Sequence, residues 1–421
     1  MKKHIAMLLI LALLFSLPAC KQGNAKDLIN DDSILEVYPK EILNPVPDME
    51  AGNLATANFA VRLFQTSMEK GKNTLISPMS VLYALAMTAN GADGETLAQM
   101  EKVFGMDIRN LNGYLFASPW LNPDAEGNKL YLSNSIWFKD DPNFEVNKTF
   151  LGINRDYYGA GAYQVSFDES TRNEINDWVK TNTKGMIPEI IDEIPEDAVM
   201  YLVNALAFEA QWEKIYDEFQ VQEGHFTTED GTRQDVEMMH SEEHYYLEDE
   251  LATGFIKYYE GREYAFVALL PNEGVTVQEY ADSLTGGHLQ EMLASSEEML
   301  VFTTIPKFES EYDIEMSQAL QGMGMTNAFD WQVADFSRLG TYNVDGMNIC
   351  INRVLHKTFI SVAEQGTRAG AATAVEMPAY GAMEIPEFKE VVLDRPFVYM
   401  IIDCETNLPF FMGTMMDVNG G

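Results

Sequence analysis

Glu364-Gln365-Gly366-Thr367-Arg368-Ala369-Gly370-Ala371-Ala372-Thr373-Ala374-Val375-Glu376-Met377-Pro378-Ala379-Tyr380-Gly381-Ala382-Met383-Glu384 reads as neither a core strand nor an ordinary surface helix. Gly366, Ala369, Gly370, Ala371, Ala372 and Ala374 leave almost no side chain to anchor it. Apolar, strand-like segments nevertheless flank it, Val354 to Val362 before and Val391 to Ile402 after. A loop this long between two strands of a compact domain is usually functional or disordered rather than filler. Its alternation is specific. Side chains of an extended strand point to opposite faces with period two. One face carries Thr367, Ala369, Ala371, Thr373, Val375 and Met377, all uncharged and mostly small. The other carries Arg368, Gly370, Ala372, Ala374 and Glu376, so both charges fall on one side. A flexible Ala/Gly linker needs no such sorting. A segment that is a loop now and a strand later does.

Working outward, His356-Lys357-Thr358-Phe359 followed by Glu364-Gln365-Gly366-Thr367 and the small-residue run resembles the end of the fifth strand and the hinge of a serpin. Serpins are protease inhibitors that act by inserting a reactive loop into a β-sheet. The resemblance runs from about Ala51 to Val418. It takes in Asn73-Thr74-Leu75-Ile76-Ser77-Pro78-Met79-Ser80, Asn204, Trp212, Arg395-Pro396-Phe397 and Leu408-Pro409-Phe410-Phe411-Met412-Gly413. It implies an α+β fold with three β-sheets, about eight to nine helices and an exposed reactive-centre loop. It also implies site residues. The hinge would be Glu364, Gly366, Thr367, Arg368, Ala369, Gly370, Ala371, Ala372 and Thr373. Ser77, Ser80, Asn204 and His356 would form the shutter where the central strands part, and Trp212 would stand where the loop first enters. Arg368 replaces an acidic residue of the family pattern and Gly370 replaces an alanine, but both lie on the outward face.

In the resembling mechanism the loop is bait. A target serine protease, or a cysteine protease, cuts it and forms an acyl-enzyme. The freed segment then inserts as a strand, and the distorted protease cannot deacylate. About ten new ladder hydrogen bonds at about 0.5–1.5 kcal/mol each, plus apolar burial, would drive insertion. Counting the family spacing from Glu364 puts the cut at Tyr380–Gly381, which suits aromatic-specific proteases resembling chymotrypsin or cathepsin G. Counting back from Arg395-Pro396-Phe397 gives a longer loop, leaving Met383–Glu384 and Met377–Pro378 as alternatives. The resemblance implies a non-enzymatic monomer with no cofactor. A non-inhibitory serpin-fold binding protein, whose loop is merely cut, is the alternative.

The N-terminus reads as a targeting segment. Lys2 and Lys3 precede an apolar run from Ile5 to Phe15, too short to span a membrane as a helix. Ser16-Leu17-Pro18-Ala19-Cys20 resembles a bacterial lipobox, with Pro18 an unusual occupant. The expectation is a signal peptide over 1–19, lipid on Cys20 and a membrane-anchored protein facing the periplasm or the cell exterior. Residues 20–50, acidic and punctuated by Pro39, Pro45 and Pro47, read as a flexible tether to a single domain over 51–421.

The whole 421-residue chain carries a net charge of −37. That excludes a nucleic-acid or anionic-membrane surface and heparin-type activation, all of which need basic patches. Cys350 and Cys404 lie in apolar stretches that read as strands, where a free cysteine packs as a small hydrophobe, so no disulfide is expected. His240-Ser241-Glu242-Glu243-His244 matches an H-x-x-E-H zinc-peptidase motif, but it reads as a turn between strands rather than a helix and has no third ligand, so no metal site is assigned. Ser77 lacks a Gly-x-Ser-x-Gly elbow and is not a nucleophile. Ala57 to Glu69, after Thr56 as N-cap, reads as the first helix of the domain.

Overall fold

The computed structural model describes residues 25–28, 47–118, 130–195, 198, 200–344, 348–367 and 387–420. The chain begins with β1 (Lys26–Asp27), α1 (Met49–Ser67), β2 (Thr74–Ile76), α2 (Pro78–Ala89), α3 (Gly94–Phe104) and α4 (Ile108–Ala117). Next come β3 (Leu130–Lys139), β4 (Phe144–Val146), α5 (Lys148–Tyr158), β5 (Gly161–Val165) and α6 (Glu169–Asn182). The middle is mostly strand: β6 (Met200–Phe208), β7 (Ala210–Gln211), β8 (Val221–Thr227), β9 (Arg233–Glu248), β10 (Ala252–Tyr258) and β11 (Tyr264–Pro271). α7 (Val277–Ser283) and α8 (Gly286–Ala294) lead to β12 (Glu297–Pro306), β13 (Phe308–Glu315), α9 (Ser317–Met323) and β14 (Gly340–Tyr342). The chain closes with β15 (Leu355–Ala363), β16 (Gly366–Thr367), β17 (Phe388–Val392), β18 (Phe397–Asp403) and β19 (Leu408–Met415).

The largest sheet runs β17-β12-β9-β10-β11-β18-β19-β2, with β8 beside β9. Every residue of β11, β18 and β19 is buried. Such uniformly apolar strands are covered on both faces, as in a sheet packed between layers. The sheet that matters for function is in two parts. One part is β1-β5-β3-β6 and the other is β13-β15-β16-β7. β7 continues β6 after Glu209, and β16 runs antiparallel to both β15 and β7. β6 and β15 therefore run parallel, and among the described residues no ladder joins them below β16. A sheet with a seam down its middle is the central feature of the fold.

Several expectations need correction. α1 starts at Met49, not Ala57, with Asp48 accepting from the Ala51 amide at 3.1 Å. Thr56 is buried within it. Tertiary contact extends the helix backwards, since Tyr114 donates to Asn53 at 2.8 Å and its ring fills the place a Cβ on Gly52 would take. Part of the expected tether is an edge strand: Lys26 and Asp27 pair with Gln164 and Tyr163. His240 to Glu243 do not form a turn but lie inside the 16-residue β9. There the two histidines and Glu243 point to opposite faces, so they cannot converge on one ion. His240 instead meets Thr304, and Glu243 meets Lys257. Among the described residues Cys350 and Cys404 form no disulfide; both are half-buried, and neither lies in a strand. Cys350 sits in an irregular segment and Cys404 opens the turn after β18. The apolar run from Val391 to Ile402 is two strands, broken at Leu393 to Pro396 because proline cannot donate to a ladder.

Candidate functional site

The upper end of the seam is already closed by backbone. Gly366 pairs with Ala363 and Gln211, and Thr367 with Val362 and Ala210. Gly366 has φ +145°, and a Cβ there would lie 2.2 Å from the Ala210 carbonyl oxygen, so only glycine fits. The register fixes which way Thr367 faces. It shares the inner face of its partner Val362, is 2% exposed, and its hydroxyl lies 2.7 Å from that of Tyr259.

An aromatic platform holds this end. The Trp212 amide donates to the Gln365 carbonyl at 2.9 Å, and its indole N–H donates to the Ala363 carbonyl at 2.8 Å. The indole stacks on Tyr259 with centroids 4.4 Å apart, and the Tyr216 amide donates to the Glu364 carbonyl at 3.0 Å. Beneath the platform the fully buried Lys257 ammonium donates to Glu243 at 2.7 Å and faces the Tyr216 ring. Burial alone would lower the Lys257 pKa, but Tyr216 and Glu243 outweigh it and hold the ammonium above its usual range. Glu364 is also gripped by side chain, with Lys307 Nζ 2.7 Å from its carboxylate.

Lower down, side chains rather than backbone hold the two flanks. The Ser77 amide donates to His356 Nε2 at 2.9 Å, and the Thr358 hydroxyl donates to the Leu75 carbonyl at 2.7 Å. Those bonds tie β15 to the strand-to-helix corner between β2 and α2. The Ser80 amide donates to the Ser77 hydroxyl at 3.3 Å, and the Ser80 hydroxyl donates to Asn204 on β6. Asn204 then donates to Asn134 of β3, which donates to the Tyr158 carbonyl at 2.9 Å. Among the described residues no ladder joins the two flanks here. Both hang from the same corner, residues 75–80. Burial pushes the His356 pKa down to about 4, so the ring is neutral, with Nε2 free to accept. The strap after α6 lies along β15 on its outer side: Gly185 to Pro188 and residues of β13 and β15 line an open cleft of about 350 Å³.

The structure thus brings Ser77, Ser80, Asn204 and His356 into one hydrogen-bonded chain and puts Trp212 against Ala363 and Gln365. Glu364, Gly366 and Thr367 lie at the head of the seam, with Gly366 and Thr367 already paired in the sheet. Arg368, Ala369, Gly370, Ala371, Ala372 and Thr373 lie outside the described residues. So do the candidate bonds at Met377, Tyr380–Gly381 and Met383–Glu384, and Cys20. Sequence reasoning missed Thr358, Tyr259, Tyr216, Asn134 and the Lys257–Glu243 pair. A lysine inside the apolar run Phe255-Ile256-Lys257-Tyr258 was the available signal for the pair.

A family model described as serpin (serine protease inhibitor) matches residues 54–418. The chain belongs to the serpin family. An uncharacterized serpin-like protein of Thermococcus kodakarensis is 31% identical over 376 residues, covering 87% of this chain and 86% of its own. The crystal structure of the thermophilic serpin tengpin in the native state superposes with a TM-score of 0.82 at 47% identity, covering 89% of this chain and 95% of tengpin. Human thyroxine-binding globulin, solved with its thyroid-hormone ligand, gives a TM-score of 0.76 at 24% identity over 88% of this chain and 99% of its own, a likeness of fold alone. Serpins are generally protease inhibitors rather than enzymes, and the fold also serves proteins that carry ligands.

Proposed function

We propose that this serpin is a suicide-substrate inhibitor of serine endopeptidases, with cysteine endopeptidases open to the same trap, and that lipid on Cys20 anchors it to a bacterial membrane facing the periplasm or the cell exterior. The observation that carries the inhibitory reading is the pairing of Gly366 and Thr367 between β15 and β7 at the top of an otherwise unladdered seam. A strand that has started into a sheet has its direction and register set. Extending that register sets Ala369, Ala371 and Thr373 beside the inward Ile360, Thr358 and His356. All three are small and neutral, so entry requires no charge to be buried. Arg368 and Ala372 fall on the outward face beside Ser361 and Lys357.

Insertion exchanges the side-chain ties at residues 75–80 for a continuous ladder. A protease joined to the loop as an acyl-enzyme is drawn along as the strand extends. Deacylation needs oxyanion donors and water held within about an ångström, so distortion leaves the ester in place. The sequence-derived bond Tyr380–Gly381 directs this trap at proteases with deep aromatic pockets.

The test is to mix the protein with chymotrypsin and with elastase and run a denaturing gel. A complex stable in detergent supports the trap. Cleavage of the loop with no complex would overturn it and favour a binding protein whose loop is only a substrate. Labelling with radioactive palmitate, lost in Cys20→Ser, tests the anchor, and label retained in that variant would contradict it.

A further inference from the structure

Phe302 on β12 and Phe388 on β17 are 37% and 48% exposed, and their rings meet edge to face at 5.2 Å. Two large aromatic rings packed on each other in solvent are costly to leave uncovered. The pairing register shows their setting. Phe302 lies opposite Glu242 on one side and Glu390 on the other, and Leu300 lies opposite Phe388. Register partners share a face, so the apolar pair is flanked by two carboxylates. Both carboxylates are exposed, and no ion pair to either is found among the described residues. The opposite face of the same strands is closed, with Val301 and Val391 buried.

We infer that this outward face of β9, β12 and β17 is a docking surface for the body of the attacking protease, and that it selects proteases with an apolar patch rimmed by lysine or arginine. The inference rests on the reading that a protease engages the loop. Continuity with that contact argues for this occupant. β17 begins eight residues after Tyr380 and five after Met383. Chain reach keeps Phe388 within about 30 Å of the first and about 18 Å of the second. A protease domain of about 230 residues has a radius of gyration of roughly 17 Å, comparable with these reaches, so a protease at either of these two bonds comes within range of β17. Charge also argues for it: Glu242 and Glu390 stand on a chain of net charge −37, which steers cationic partners and repels acidic ones.

The experiment measures the second-order rate of loop cleavage or complex formation with chymotrypsin, and with chymotrypsin succinylated on its lysines. The proteins compared are the full chain, Phe302→Ser/Phe388→Ser and Glu242→Lys/Glu390→Lys, with a synthetic 368–386 peptide as a reference for the bond itself. Both double variants should slow the chymotrypsin reaction about tenfold. The charge variant should react faster than the parent with succinylated chymotrypsin, while the peptide is cut equally throughout. Because the lysine variant leaves both rings in place, a folding defect in the serine variant does not decide the matter. Rates within twofold for the lysine variant with both forms of the protease would overturn the docking surface. The rate is read whether or not a trapped complex forms. Loss of the complex with the rate differences kept would sink the trap alone, and equal rates with the complex kept would sink the surface alone.

Discussion

The two ends of the seam are held by different chemistry. At the top, Gly366 and Thr367 are joined to β15 and β7 by backbone pairing and backed by Trp212, Tyr216 and Tyr259. Lower down, β6 and β15 are each tied by side chains to residues 75–80, and among the described residues no ladder joins them. A ladder is replaced only by another ladder, whereas a few side-chain bonds at about 1 kcal/mol each yield to an incoming strand. On the proposed mechanism the top would set direction and register, and the lower part the barrier to an incoming strand.

Changes at the two ends should have different effects. Thr367→Arg puts a charge where the wild-type side chain is buried against Tyr259, and stalling the strand there should turn the inhibitor into a substrate. The moles of protein needed per mole of protease inhibited should rise more than about tenfold; an unchanged ratio would refute insertion through this register. In the lower part, His356 is neutral in the fold with its pKa at about 4, against an ordinary value near 6.5. The unfolded chain takes up the proton first, so the contribution of this ring is whole above pH 6.5, falls as pH drops towards about 4, and is level below that. It amounts to about 3 kcal/mol. His356→Gln keeps an acceptor for the Ser77 amide but does not titrate. Denaturation curves from pH 7 to 4 should therefore be flatter for the variant by about that amount, and parallel curves would contradict the assignment.

Smaller effects follow at the top. Gly366→Ala meets both the φ of +145° and the Ala210 carbonyl, so it should destabilise the hinge by about 1–3 kcal/mol. The check is faster amide exchange at 363–367, with the lower seam unchanged. The smallest effect is expected outside the seam. In the extended register Arg368 falls beside Ser361, whose hydroxyl donates to Glu309 at 3.1 Å. Glu309→Gln should then lower the melting point of the cleaved form, but not of the intact form, by an amount equivalent to under about 1 kcal/mol. An equal shift in both would show that Glu309 never meets Arg368.

Strands with one dominant pattern were legible in the sequence. β11 is the uninterrupted apolar run Tyr264–Pro271, every residue of it buried. The start of α1 was not legible, because Gly52 and Asn53 are helical through their fit to Tyr114, a contact 61 residues away. The inward face of Thr367 could be read from period-two sorting alone. The His356–Ser77–Ser80–Asn204 chain could not: its members come from three distant segments, and only the family resemblance grouped them. Thr358 and Tyr259 stayed hidden for the same reason, since nothing local distinguishes a buried bonded hydroxyl from an idle one. His240 to His244 misled through turn-like polarity, because an exposed face of a long strand is as polar as a turn.

Amide exchange in 200–208 and 355–363, measured before and after chymotrypsin cuts the loop, tests the central claim most directly. If the freed loop becomes the strand between β6 and β15, the seam-facing amides of both should slow by at least about a hundredfold, and 368–376 should become protected with them. Unchanged exchange in both strands, with 368–376 exchanging freely after the cut, would contradict it.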